Sequence, residues 1–306
     1  MIKADLITGF LGSGKTTFLK KYVEYLVRSG EKVGVLENDY GAVNVDMMLL
    51  SDLAELGAEL ETVAGACDFD CHKRRFKTKL IALGMSGLTR VVIEPSGIFD
   101  ADEFFDSLRE DPLERLYEIG SVITVIDPAE NSFSELSDYI LASQAACAGT
   151  VVFSKTQLRS EKDIRDTVSK INKTLGDNNC PRRLDSFIAK SWDDLTDADM
   201  KLIENSGWHP ADMIKRHIPE DCFGSVYFMN RSFSVKSASA LAKRLLTDDS
   251  FGSVRRVKGF INENGWLEFN ATASELTISP IKNGQDIIIV IGERLDEEKI
   301  RRAAEL

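Results

Sequence analysis

The sequence predicts an α/β protein: a mostly parallel sheet covered by helices on both faces, followed by a smaller C-terminal α+β domain. Three observations predict it. Short Val- and Ile-rich runs alternate with helical patterns along the first two thirds of the chain. A Gly-, Pro- and charge-rich stretch, "ENSGWHPADMIKRHIPEDCFGS", then breaks that rhythm. Beyond it, strand-like segments follow one another closely. The length of 306 residues exceeds the needs of one ordinary domain, and the expected boundaries are 1–215 and 223–306.

The first strand is expected at Ile2–Ile7 and reads as a buried one. After a glycine-rich break, a helix from Lys15 to Ser29 carries Phe18, Leu19, Tyr22, Val23 and Leu26 on one face and stops at Gly30, a residue suited to the left-handed turn that closes a helix. Further buried strands are expected at Lys32–Leu36, Thr89–Ile93, Ser121–Ile126 and Thr150–Phe153. A helix over Ser160–Leu175 turns Ile164, Val168, Ile171 and Leu175 inward. Past the boundary, "SVYFMNRSF" reads as a strand and Ser237–Leu246 as a helix. The segments "VRRVKGFI", "GWLEFNAT", "ELTISPI" and "DIIIVIG" read as four more strands before a last helix from Asp296.

Hydrophobic residues at 43% and charged residues at 28% describe a soluble globular chain rather than a disordered one. A net charge of −11 argues against nucleic acid or an anionic membrane as partner, since both require basic surface. The first strand begins at Ile2, which leaves no room for a signal peptide, and the late apolar run Ile287–Ile291 is too short to span a bilayer, so the expected location is cytoplasmic. Five cysteines, an odd count without a secretory signal, do not make a disulfide framework.

Between the first strand and the first helix, Gly9, Gly14, Lys15 and Thr16 satisfy G-x-x-x-x-G-K-[ST], in the strand-before, helix-after context that the motif requires. Glycines let backbone N–H groups curl around phosphate oxygens, the helix N-terminus adds a positive partial charge, and Lys15 brings a full charge to the β- and γ-phosphates. Gly12 and Ser13 lie within that cradle, Thr16 offers the hydroxyl expected on Mg²⁺, and Thr17 is a nearby polar group. This reads as a P-loop NTPase; the bland alternative is a glycine turn that matches by accident.

Such a site also needs carboxylates for the metal and a glycine able to approach the γ-phosphate. "VVIEPSG" supplies Glu94 at the C-terminal end of a strand, the edge where open α/β sheets bind ligands, and Gly97 three residues on. Asp39, in "LENDYGAVNVD", ends the second strand in a loop that could order around Mg²⁺. Without the phosphate loop, either carboxylate would read as a solvated or capping residue. Lys15, Asp39 and Glu94 are therefore the candidate catalytic residues.

In this order, "GFLGSGKTT", "NDYGAV", "EPSG" and "VITVIDPAE" resemble the CobW-like GTPases, relatives of the UreG and HypB metallochaperones, and "RVKGFI" with "IVIGERLDEEKIRRA" resembles the C-terminal domain of that family. The resemblance implies Mg²⁺-dependent GTP hydrolysis coupled to delivery of a transition metal, or of a metal cofactor, to a client metalloprotein. It implies that Gly9 to Thr17 bind phosphates and Mg²⁺, that Asp39 lies in the first switch where the family usually has Glu, and that Glu94 matches the acidic residue after the Walker-B-like strand.

Two departures bear on function. The family's Gly-Cys-x-Cys-Cys motif is replaced by "AGACDFDCHKRR", which leaves Cys67 and Cys71 with His72 adjacent. Thiolate and imidazole suit Zn²⁺ or another late first-row ion, and three ligands would leave one position open for transfer. On a regular helix, however, His72 points about 100° away from Cys71, so convergence requires a turn. Two readings stay open, a transition-metal site and inert packing thiols beside Lys73, Arg74 and Arg75.

The second departure is in base recognition. The family's Asn-Lys-x-Asp becomes "SKTQ", Ser154 to Gln157, with Lys155 able to lie over either purine. An ionised Asp accepts from guanine N1–H and the exocyclic amine, whereas Gln157 has one acceptor and an NH₂ facing a donor; the lost pair costs about 1–3 kcal/mol of guanine affinity. The expectation is GTP as cofactor with a weakened preference over ATP.

The expected chemistry is in-line attack of water on the γ-phosphorus, stabilised by loop amides, Lys15 and Mg²⁺. No arginine finger or water-positioning glutamine is evident, so turnover should be slow until a homodimer partner, a client or a metal completes the site. Two rivals are a nucleotide-binding interaction module that has lost metal chemistry and a small-molecule kinase, since a phosphate loop alone does not choose the acceptor.

Overall fold

In the computed structural model, which describes residues 1–38, 46–65, 69–128, 134–216 and 222–305, the chain divides into two units, Met1–Arg216 and His217–Leu306. The first unit begins with β1 (Ile2–Thr8), α1 (Lys15–Arg28), β2 (Val33–Asn38), α2 (Asp46–Glu55), β3 (Glu59–Val63), α3 (Phe69–Met85) and β4 (Arg90–Pro95). It continues through α4 (Ala101–Leu108), α5 (Leu113–Leu116), β5 (Tyr117–Ile126), α6 (Glu135–Cys147), β6 (Thr150–Phe153), α7 (Glu161–Asp177), β7 (Ile188–Ala189) and α8 (Asp197–Glu204). The second contains β8 (Phe223–Met229), α9 (Val235–Thr247), β9 (Ser253–Asn262), β10 (Trp266–Thr272), β11 (Leu276–Pro280), β12 (Ile287–Glu293) and α10 (Glu297–Ala304).

Among the described residues, the first unit holds a seven-stranded sheet in the order β3-β2-β4-β1-β5-β6-β7, with every pairing parallel. Parallel strands need crossovers, and helices supply them, so both faces are covered as the Val/Ile-rich runs require. On one face Val35, Val92 and Ile123 pack with Phe18, Leu19 and Tyr22 of α1, Leu50 and Leu53 of α2, and Met200 and Ile203 of α8. The alternate positions Leu36, Ile93 and Val122 point to the other face and are equally buried. The second unit is an antiparallel sheet, β11-β10-β9-β12-β8, whose core residues Val257, Phe269 and Val290 pack with Leu241 of α9 and Ile300 of α10. The expected parallel α/β sheet and the smaller α+β domain are both present.

The N-terminal half of β4 is fixed by charge as well as by packing. Arg90 is fully buried, with Nη1 2.7 Å from Asp5 Oδ2 and Nη2 3.0 Å from Glu204 Oε1. Tyr22 donates to the same Asp5 oxygen at 2.8 Å, and the Ser121 backbone N–H donates to the other, also at 2.8 Å. A buried guanidinium must be answered in this way, and the network joins β1, β4, β5, α1 and α8 at the end of the sheet away from the phosphate loop.

Candidate active site

β1 and β4 are neighbours in the sheet, so the loops leaving their C-terminal ends meet. The loop after β1 carries Gly9, Gly12 and Gly14 at φ values of 145°, 81° and 94°, conformations that side-chain-bearing residues rarely adopt. At Gly9 a Cβ would also lie 2.2 Å from the Val125 carbonyl oxygen, so the loop is drawn tightly against β5. Lys15, at the first position of α1, is buried, and its ammonium donates to the Gly9 carbonyl at 3.0 Å. Ser13 is buried too, and its Oγ finds no hydrogen-bond partner among the described residues. An orphaned hydroxyl inside a ring of glycine backbone is what a phosphate oxygen would answer. Thr17, one residue past Thr16, is exposed.

The loop after β4 brings the carboxylate. Thr16 Oγ1 donates to Glu94 Oε1 at 2.8 Å, and Glu94 is buried. In the sheet register Glu94 stands abreast of Glu37 on β2, which is also buried, so two carboxyl-bearing residues share one face on strands about 4.8 Å apart. Oxygen donors of this kind suit a hard divalent cation, which would also relieve the like-charge pair, so these residues fit Mg²⁺. Gly97 lies against the phosphate loop, where a Cβ would sit 2.6 Å from the Leu11 nitrogen. Gln144 of α6 holds it there by donating to the Gly97 carbonyl at 3.1 Å. Asp39 lies outside the described residues.

On the far side of β1, β6 is followed by Ser154, which is buried; its backbone N–H and hydroxyl both donate to the Ile126 carbonyl, at 2.8 and 3.3 Å. Lys155 has φ 51° and an ammonium 3.0 Å from Asp127, a buried carboxylate at the end of β5 that the guanidinium of Arg159 also grips, at 3.1 and 3.3 Å. Gln157 is exposed on a 3-10 turn, Thr156–Leu158. Trp192, in the loop after β7, comes within 3.9 Å of the Cβ position of Gly14 and packs on Phe18 with ring centroids 5.5 Å apart.

The candidate transition-metal ligands fall on α3 and just before it. His72 is buried, and its Nε2 donates to Asn38 Oδ1 at 2.7 Å, tying the first turn of α3 to the end of β2. Cys71 instead lines a partly open pocket with Arg74 and Arg75. The one-residue helical offset separates the two side chains as expected. Cys67 lies outside the described residues, and among those described no group of three His, Cys, Asp or Glu side chains is placed to hold a metal ion. His217 also lies outside them; His209 is described, and burial lowers the pKa of its imidazole.

Sequence reasoning missed Glu37, Asp127, Asn38 and Trp192. Asp127 ends a strand as Glu94 does, and the same rule would have found it. Glu37 holds the same penultimate place on β2 that Glu94 holds on β4, so that rule would have found it too, and sheet register sets the two abreast.

A family model for the CobW/HypB/UreG nucleotide-binding domain matches residues 3–182. The zinc chaperone YjiA of Escherichia coli (strain K12) is 28% identical over 180 residues, which make up 56% of this chain and 55% of that protein. The zinc chaperone YeiR of the same organism is 33% identical over 129 residues, 42% of this chain and 38% of that protein. Among solved structures, Zn(II)-bound YjiA GTPase from E. coli aligns over 99% of this chain and 97% of its own, at 20% identity and a TM-score of 0.41. The matched stretches thus span about half the length, or less, of these two sequence relatives.

Proposed function

Because the chain belongs to the CobW/HypB/UreG nucleotide-binding family, we propose that it is a Mg²⁺-dependent nucleoside triphosphatase that couples slow hydrolysis to delivery of a transition metal to a client metalloprotein. The observation that carries this reading is the 2.8 Å contact of Thr16 with Glu94 beneath a phosphate loop whose Lys15 ammonium rests on the Gly9 carbonyl. The ammonium reaches the Gly9 carbonyl at the mouth of the loop, where a charged β/γ-phosphate oxygen would attract it more strongly. Thr16, Glu94 and, from its position in the sequence, Asp39 would hold Mg²⁺. A bound Mg²⁺ neutralises charge that builds on the phosphoryl oxygens as the γ-phosphate transfers. Loop amides and Lys15 bind and orient the triphosphate for in-line attack by water, and Gly97, packed on Leu11 as only a residue without a side chain can be, brings the loop after β4 up to the phosphate loop.

Gln157 offers only a neutral amide where the family presents a carboxylate, and Ser154 spends its hydroxyl on the sheet. Guanine discrimination is therefore weakened, with ATP bound comparably to GTP. The named relatives are zinc chaperones, so Zn²⁺ is the proposed cargo, held by Cys67 and Cys71, with His72 joining only if it leaves Asn38.

Calorimetry of the full chain with GTP and with ATP, each with and without Mg²⁺, tests the reading. The expected result is saturable, Mg²⁺-dependent uptake of both nucleotides, lost in Lys15→Ala, with phosphate released when no acceptor is added. Absence of any Mg²⁺-dependent uptake by folded protein overturns the proposal. A GTP affinity about a hundredfold above that for ATP, worth about 2.7 kcal/mol, overturns the reading of Gln157 alone.

A further inference from the structure

Helix α3 carries five cations in the seven residues Lys73–Lys79, within a chain of net charge −11. Three of the five are paired internally, sharing two carboxylates. Lys73 and Lys77 both reach Glu110, and Lys79 reaches Glu61 at 2.6 Å. Arg74 and Arg75 pair with no carboxylate among the described residues, and these two line the pocket of about 420 Å³ between α3 and the end of β3, beside Cys71.

The two guanidiniums differ in how they are held. Arg75 Nη1 donates to the Ala64 and Gly65 carbonyls at 3.0 and 2.9 Å, which fixes its plane against the end of β3. Among the described residues Arg74 makes one long side-chain bond, from Nε to the Asp70 carbonyl at 3.4 Å, which leaves its other N–H donors available to a ligand. One rigid and one adaptable guanidinium in a concave wall match a carboxylate, which takes paired N–H donors at both oxygens.

We infer that this pocket docks an acidic segment of a partner protein, with a carboxylate side chain seated between Arg74 and Arg75. A long polyanion would meet the repulsion of the chain's overall charge, whereas a short acidic segment meets only the local positive field. The pocket wall contains Cys71, so the docked carboxylate lies beside the candidate cargo segment; that role rests on the client-delivery reading, while the chemistry of recognition does not. β3 is the edge strand, three places from β1 and so roughly 14 Å from the phosphate loop, and a partner seated here leaves that loop uncovered.

The test is fluorescence anisotropy of a short fluorescein-labelled glutamate-rich peptide with the full chain, without nucleotide or added metal. Saturable binding that weakens with salt is expected, reduced about tenfold or more in Arg74→Ala and only partly in Arg74→Lys, which keeps the charge but loses the fork. Arg165→Ala, in a separate basic pocket on α7, should leave it unchanged. Among the described residues the exposed Arg74 side chain makes one weak bond, so its variants should fold, and calorimetric nucleotide uptake by the same proteins reports the phosphate site separately. The inference is overturned by no saturable peptide binding, by an Arg74→Ala affinity equal to wild type, or by inorganic phosphate displacing the peptide at equal concentration, which would mark a small-anion site instead.

Discussion

Thr16 and Glu94 are 78 positions apart and make one hydrogen bond, yet the metal half of the proposed site depends on it. Removing the hydroxyl takes away an oxygen donor and one hydrogen bond to a buried carboxylate. Thr16→Ala is expected to lower Mg²⁺-dependent nucleotide affinity by roughly ten- to a hundredfold, about 1.4–2.7 kcal/mol, while Thr16→Ser, which keeps the oxygen, stays near wild type. Calorimetry at saturating Mg²⁺ distinguishes the two, and equal losses would mean that the methyl rather than the oxygen matters. At this scale the sequence was legible wherever local spacing carries the chemistry. Gly9 through Thr16 form one contiguous motif, and Glu94 declares itself by ending a strand. His72 was not legible, because its fate was set by Asn38, 34 residues away, and a one-position turn around α3 sent Cys71 to a different surface.

Elements were legible when their burial was periodic and obscure when it was not. α1 shows its stripe, whereas α6 is buried almost all round, with small residues Ala142, Ala145 and Ala146 packed inward, and so lacks an amphipathic period. β3 reads "ELETV" and sits at the sheet edge with three of its five residues half exposed, so it never forms an apolar run. α8 was missed although its capping box is written in the sequence. Thr196 accepts from the Asp199 backbone N–H, and the Asp199 carboxylate accepts from the Thr196 N–H at 2.9 Å and its hydroxyl at 2.7 Å. Lys190, 2.8 Å from both Asp199 oxygens, and then the Thr196 groups hold that carboxyl down to about 2. A carboxylate whose folded pKa is depressed adds stability that is complete above its unfolded value near 4 and disappears as pH falls through about 2. Asp199→Asn is therefore expected to cost about 1 kcal/mol in urea unfolding at neutral pH, with the gap to wild type constant down to about pH 4 and closing below it. A gap that stays constant to pH 3 would place the loss in packing rather than in charge.

Across the whole molecule, the two units have separate cores and separate sheets. Every member of the core around Phe18 and Val92 belongs to the first unit, every member of the core around Val257 and Phe269 belongs to the second, and no strand of one sheet joins the other. All of the proposed nucleotide-binding residues lie in the first, as does the Asp5–Arg90–Glu204 network that holds β1, β4 and α8 together. A unit with its own core and its own sheet is expected to fold alone. A fragment of residues 1–216 is accordingly expected to unfold cooperatively in urea and to bind Mg²⁺-nucleotide within about threefold of the full chain, about 0.7 kcal/mol. Cooperative unfolding with lost nucleotide affinity would mean that the second unit completes the site. A fragment with far-UV but no near-UV circular dichroism would mean instead that the first unit's core is not self-sufficient.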